Sequence, residues 1–382
     1  MALFSCYFRT RISPMKSSRG RQVLFALLLV VPTVAAAQEN VLLHPDKFYR
    51  KFFPHLRIKR APLDTAYIKT YPNALSVGVH VLSPGVRLNL SPRASEASAS
   101  SNFRTSMGDI LGFSASYRYV AAGFAFLLKS GLQKNDAYTP SAYRTATLKF
   151  LGSAYSFQFK YIRIKGFTDI GAINRGTDGS YRLRPDVLSK EFQFEGIYNF
   201  NWKQYSYAAP ITFSQRQVRS RIGLLLKAGA FYHQLSGDSA LITRTQQPYY
   251  DPAFANIATL RSVRVEAGPG VGGNLVLRRR FFVSFVFFPS VNLYLYKFLE
   301  NPQQKVSARQ AFVFRPEGRA SIGYQSRRMY GGVRFEYDWN RAALQFITLS
   351  TVNRYIGFDL GYRFTAPRAM RKFYRKTMPP GM

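Results

Sequence analysis

The stretch YSFQFKYIRIKGF, Tyr155 to Phe167, decides the fold. Tyr155, Phe157, Phe159 and Tyr161 fall on one face of an extended chain, and Ser156, Gln158 and Lys160 fall on the other. A period of two belongs to a strand whose faces meet unlike surroundings. KEFQFEGIYNFN repeats the split, with Phe192, Phe194, Tyr198 and Phe200 against Glu191, Gln193, Glu195 and Asn199. So does the C-terminal region. Met329, Val333, Phe335, Tyr337 and Trp339 oppose Arg334, Glu336 and Asp338, and Ile356, Phe358, Leu360, Tyr362 and Phe364 oppose Asn353, Gly357, Asp359, Gly361 and Arg363.

A soluble sandwich also alternates. Here, however, the polar face carries full charges on strand after strand, while the apolar face is rich in the aromatic residues that make up 16% of the chain. The pattern predicts an all-β fold: a single closed antiparallel transmembrane β-barrel of about twelve strands, within a range of roughly ten to fourteen at 9 to 11 residues per crossing. Closure satisfies every backbone N–H and C=O inside the sheet, as hydrocarbon demands. The expected strands are 74–90, 108–118, 121–130, 144–152, 154–166, 191–200, 219–235, 259–277, 280–298, 309–325, 328–340 and 352–364. No stretch after the leader supplies the eighteen apolar residues of a membrane helix, and the richest, Phe281 to Tyr296, is broken by Ser284, Pro289, Ser290 and Asn292.

The N-terminus reads as a secretory signal over residues 1–37. Lys16, Arg19 and Arg21 precede the apolar core Val23 to Val31, and Ala35 to Ala37 form a small-residue cleavage site before Gln38. Met15 is an alternative start, and a membrane anchor is the competing reading. Residues 38–63 then form a basic periplasmic linker, 64–364 the barrel, and 365–382 a basic tail. Cys6, the only cysteine, lies in the leader, which leaves no disulfide, zinc site or thiol nucleophile in the mature chain. The formal charge is +35, five of it in the leader, so about +30 remains after cleavage. In an exported chain whose basic residues are spread over every segment, this excess points to membrane lipid and anionic glycolipid and away from nucleic acid.

Short connections near Arg118 to Ala121, Gly152 to Ala154, Leu277 to Arg280 and Ser326 to Arg328 alternate with long ones over 91–107, 131–143, 167–190, 236–258 and 299–308. Short turns belong at the periplasmic end and long loops outside. The alternation holds only if Tyr205 to Leu235 crosses once, so YSYAAPITFSQRQVRS (Tyr205 to Ser220) is not a crossing strand. It is expected inside the barrel as a plug. In this reading Ser206, Tyr207 and Ser220 belong to the plug, Pro210 breaks ladder pairing, and Ala208 and Ala209 allow close approach. Gln215, Arg216, Gln217 and Arg219 offer donors to luminal Glu195, Glu266, Glu317, Glu336 or Asp359. Gly268, Gly270 and Gly272 are a bare luminal stripe to receive the plug. The competing reading is a wall strand with a polar end.

The inward charges Glu195, Arg264, Glu266, Arg315, Glu317, Arg319, Arg334, Glu336, Asp338, Asp359 and Arg363 read as salt bridges filling a lumen, with a selectivity filter as the alternative. Both signs are interspersed, which favours pairing. GPGVGG (Gly268 to Gly273) matches G-x-G-x-x-G, but a strand follows where a dinucleotide site needs a helix, so no cofactor is expected. No catalytic or metal-binding residues are assigned. A barrel enzyme acting on lipid or glycolipid would require luminal His80 or His233 to meet a serine in space. A third reading is adhesion or assembly through the outer loops. Asp359, Gly361, Tyr362 and Phe364 have the spacing of a recognition signal for the barrel-insertion machinery, an expected partner.

YNFNWKQYSYAAPITFSQRQVRS (Tyr198 to Ser220), the apolar strand after it and GDSALI (Gly237 to Ile242) resemble the signature of domain-of-unknown-function family 4421. So do DTAYIKTYPNALSV (Asp64 to Val77), IKGF (Ile164 to Phe167), AGPG (Ala267 to Gly270) and GYRF (Gly361 to Phe364). The resemblance spans residues 64–364; IGLLLKAGAF after Arg221 departs from it in having fewer small residues. It implies a Gram-negative outer-membrane barrel and no assigned activity.

Overall fold

A computed structural model describes residues 63–93, 100–128, 138–171, 174, 176, 179–300 and 305–377. The leader and nearly all of the expected linker lie outside these residues. Twelve strands close into one antiparallel barrel: β2 (Ala74–Pro92), β4 (Ile110–Tyr117), β5 (Val120–Leu127), β6 (Ala142–Leu151), β7 (Tyr155–Asp169), β8 (Arg182–Asn199), β10 (Arg221–Ser236), β11 (Thr259–Leu277), β12 (Phe281–Leu299), β13 (Lys305–Gln325), β14 (Met329–Ala343) and β15 (Ile347–Thr365). Each pairs with the next, and β15 closes on β2 from Ile347↔Pro92 to Thr365↔Ala74. The fold class read from the alternation is the one observed.

Three short strands were not expected. β1 (Ile68–Thr70) and β9 (Gln215–Gln217) pair with each other and not with the barrel. β3 (Ser101–Arg104) lies above the short strands β4 to β6 and joins β2 to β7. β8 begins nine residues before its expected start, because Arg182 to Lys190 continue the pairing with β7 past a register shift at Lys165/Phe167. The polar content of that segment masked it as loop.

The outward face is apolar and unburied. Phe312 is 73% exposed, Ile222 63% and Phe159 47%. Rings of this size do not stand in water over a whole barrel surface; the face is built for hydrocarbon. The buried core lies inside and concentrates at the long-loop end, where Leu90, Phe103, Phe167, Leu235, Phe254 and Phe298 pack together. The 237–258 connection, expected to face outward, folds inward over this mouth. A single 3-10 turn at Gln247–Tyr249 and helix α2 (Pro252–Ala255) carry it. Tyr250 donates to Leu90 O (2.5 Å), and Phe254 meets Phe298 edge-on at 5.1 Å. Burial pushes the Tyr250 hydroxyl up to about 12, so it remains a donor. Residues Arg368–Thr377 of the basic tail form a separate helix, α3.

Candidate functional site

Tyr205 to Ser220 leaves the wall at the short-turn end. After β8, Asn201 O accepts from Tyr205 N (2.8 Å), turning the chain inward, and Asn199 Nδ2 donates to Tyr205 O (2.8 Å). A single helical turn, α1 (Ala208–Thr212), follows and ends at Phe213, whose φ of 54° is left-handed. Pro210 sits in this turn. Tyr205, Ser206, Tyr207, Ala208, Ala209, Phe213, Gln215 and Gln217 are all buried.

The wall donates and the segment accepts. Arg319 Nη1 bonds Tyr207 Oη at 2.6 Å, Asn274 Nδ2 bonds Ser206 O at 2.9 Å, Gln325 Nε2 bonds Ala209 O at 2.5 Å and Arg363 Nη2 bonds Phe213 O at 2.6 Å. The sequence reading had this polarity reversed. Gln215 and Gln217 do not reach the luminal acids; they brace the segment itself, through Ser206 Oγ to Gln215 Oε1 (2.5 Å), Ser206 N to Gln217 Oε1 (2.9 Å) and Gln217 Nε2 to Gln204 O (2.6 Å), and tie it to the barrel, where Gln215 Nε2 donates to Ser153 Oγ (3.2 Å) and Gln217 Oε1 accepts from Asn274 Nδ2 (3.2 Å). Arg219 is exposed and stacks over Tyr67 at 5.7 Å, Arg216 pairs in register with Lys69, and Ser220 Oγ accepts from Val276 N. The acids were already taken by cations of the wall. Burial pushes the Tyr207 hydroxyl well above the usual tyrosine range, against the pull of Arg319, so it stays neutral.

The glycine stripe is divided. A Cβ on Gly272 would strike the Tyr205 hydroxyl and ring, and one on Gly223 the same ring, so these two glycines make the seat. Gly270 is instead covered by Phe288, and Gly268 by the backbone of Pro289 and Ser290, both on the neighbouring strand. Gly223 was missed, although it shares the inward phase of Leu225 and Gly229.

The luminal charges pair into two groups. In the first, Lys227 Nζ meets Glu266 (2.8 Å) and Glu317 (2.6 Å), Arg315 joins Glu266 (2.8 Å) and Asp338, and Arg319 joins Glu317 and Glu195 (3.1 Å). Lys227 was not singled out in the sequence because it sits in the apolar run IGLLLKAGAF; its inward phase was the available signal. Glu195, Glu266 and Glu317 converge as a metal site would, but the ammonium of Lys227 bonds two of the three. In the second, Arg334 joins Asp359 (3.0 Å) and Glu336 (3.8 Å). Arg264 stands apart over Phe231 at 3.9 Å, and Arg363 between Tyr71 and Tyr330 at the short-turn end.

Between the apolar cap and the inserted segment lies a cavity of ≈ 300 Å³. His80, Lys149, Lys160, Arg334 and Glu336 line it together with Ser189, Glu191, His233 and Arg264. His233 meets a serine: Ser189 Oγ is 3.0 Å from its Nε2, with Glu191 opposite His233 in the ladder. On the final strand Tyr362 and Phe364 face outward with rings 4.8 Å apart, whereas Asp359 bonds Arg334 and Gly361 is covered by Tyr330.

Among solved structures, the translocator domain of the autotransporter NalP from Neisseria meningitidis aligns over 85% of this chain and 100% of its own at 13% identity, with a TM-score of 0.39. The outer membrane protease OmpT from Escherichia coli aligns over 78% and 98% at 11% identity (TM-score 0.33), and an outer membrane channel from Pseudomonas putida F1 over 80% and 100% at 9% (TM-score 0.34). Curated protein sequences yield no match. The family model described as a domain of unknown function (DUF4421) matches residues 62–364, in accord with the motifs along Asp64 to Phe364, and the chain belongs to that family.

Proposed function

We propose that the protein is an outer-membrane transport barrel, exported by the N-terminal leader, with Tyr205 to Ser220 as a plug that shuts its short-turn end. The apolar exterior supports the membrane, and the alternation of short turns with long loops supports an orientation with the short turns in the periplasm. The observation that carries the plug is the set of four wall side chains, Asn274, Arg319, Gln325 and Arg363, bonded to its carbonyls and to Tyr207. Such bonds are directional and can be handed to water or to an incoming solute one at a time, at about 0.5–1.5 kcal/mol for each of the two amide donors and about 1.5–3 kcal/mol for each of the two guanidiniums. The test is conductance in a planar bilayer. Wild-type barrels should conduct poorly, and Gln215→Ala with Gln217→Ala, which removes the internal bracing and the bonds to Ser153 and Asn274, should open them. Equal conductance in both would sink the plug.

One observation favours a second reading, a hydrolase. Ser189, His233, Glu191 and Arg264 line the same cavity, and Arg264 Nε and Nη2 are buried without a partner. In this reading Ser189 is the nucleophile, His233 its base and Arg264 the group that steadies an oxyanion. Labelling by a fluorophosphonate that disappears in Ser189→Ala would support it, and unlabelled folded wild type would remove it.

A further inference from the structure

The outward face carries a second pattern, independent of the lumen. On β7 the exposed run Tyr155, Phe157, Phe159, Tyr161 ends, towards the long loops, in Arg163; on β8 Phe194 and Phe192 are followed by Lys190. The same step ends the apolar run at Arg144 on β6, Arg261 on β11 and Lys297 on β12. Register places them side by side. Arg144 pairs with Arg163, Arg163 with Lys190, Lys190 with Gln234, Gln234 with Arg261 and Arg261 with Lys297. Thus six adjacent strands carry one continuous arc of five cations and a glutamine. Like charges directly opposite each other cost stability, and three of these five contacts are like-charge pairs. Among the described residues none of the five cations has an ion-pair or hydrogen-bond partner, and Arg261 Nε is buried without one.

We propose that this arc is a docking surface for a phosphorylated glycolipid of the outer leaflet. The inference rests on the membrane orientation given above. Two features define the occupant. It must lay acyl chains against Phe157, Phe159, Phe192 and Phe194, and it must present several negative charges one pair of residues higher, about 7 Å along the strand. An amphiphile with phosphates at the head of its chains meets both demands. Arginine supplies three of the five cations, and its planar fork binds phosphate oxygens two at a time. Such an occupant removes the repulsion along the row and ties six strands together from outside.

The test uses the folded full-length mature barrel in phosphatidylcholine vesicles doped with bisphosphoryl lipid A or with its dephosphorylated form. Lipid A retained per barrel after detergent washing is the readout, with heat-modifiable electrophoretic mobility as the check on folding. Wild type should retain the phosphorylated lipid in a salt-sensitive way. The variant Arg144→Gln, Arg163→Gln, Lys190→Gln, Arg261→Gln, Lys297→Gln should lose roughly tenfold or more in affinity, while Arg278→Gln, Arg279→Gln, Arg280→Gln at the opposite end should bind as wild type. Equal retention by the five-residue variant, or of the dephosphorylated lipid, overturns the proposal. Failure of wild type to insert in any vesicle overturns the membrane reading, and this inference with it. Insertion with unselective binding overturns this inference alone.

Discussion

The two ends of the lumen are packed with different chemistry. At the long-loop end Phe254, Phe298, Phe103 and Leu90 are fully buried against one another, and polar side chains tie the loops around them, as where Ser101 Oγ donates to Gln246 Oε1 at 2.6 Å and Arg184 Nη1 to Leu241 O at 3.2 Å. At the short-turn end the contact is made of carbonyls, a phenol and glycines, and the wall reaches in with amides and guanidiniums. Apolar burial has no partner to exchange and is lost all at once; a hydrogen-bonded seat can be vacated bond by bond. The first end, the lid, is therefore built as fixed core, and the second, the proposed plug, has the construction of a gate.

The comparison breaks most visibly if the lid is not a core. Phe254→Ala leaves a cavity between Tyr250 and Phe298 and should cost about 3–5 kcal/mol, read from guanidinium unfolding in detergent, with conductance unchanged. A cost below about 1 kcal/mol would place the lid outside the cooperative unit. Next comes the wall between the two ends. Lys227→Met strips a shared cation from Glu266 and Glu317, leaving them only Arg315 and Arg319, and should cost about 3 kcal/mol, most of it recovered when both acids become glutamine, because the penalty is the surplus of buried negative charge.

A smaller effect tests the seat. Gly272→Ala puts a methyl group where the Tyr205 hydroxyl lies and should cost about 1–3 kcal/mol while raising conductance. In Tyr205→Ala the same substitution should cost almost nothing, since the collision is gone. Additive effects in this cycle would mean that glycine serves the strand and not the segment.

How much of this was legible follows from the same contrast. All twelve barrel strands could be read because a membrane wall repeats one rule, apolar out and polar in, from Val77 to Phe364. That Tyr205 to Ser220 is no crossing strand was readable too, from the turn count and Pro210. Its bonding was not. Gln215 and Gln217 have donors and acceptors in equal measure, and no periodicity says whether they turn to Glu266 on the wall or to Ser206 nine residues away. Ser189 and His233 illustrate the same limit, being 44 residues apart in the chain and joined only by the register of β8 against β10. The lid escaped notice for another reason. Its residues, Leu241, Ile242, Tyr250 and Phe254, are scattered among polar ones with no regular period.

The smallest expected effect separates lid from gate most sharply. Gln325 donates one neutral hydrogen bond to Ala209 O and is otherwise an ordinary inward residue of β13. Gln325→Met keeps the volume and removes the donor, so global stability should fall by only about 1 kcal/mol. If the segment moves as a gate, that loss is felt by the closed state alone, because in the open state water serves both groups. The open population should then rise by roughly fivefold, since about 1.4 kcal/mol corresponds to a factor of ten. A matched change in the lid, Phe298→Leu, should lower stability by a comparable or larger amount and leave the open population where it was. Single-channel recordings of the two variants, set beside their unfolding curves, give four numbers. Opening by Phe298→Leu, or no opening by Gln325→Met at the same stability cost, would mean that the two closures are one cooperative structure and that neither end is a gate.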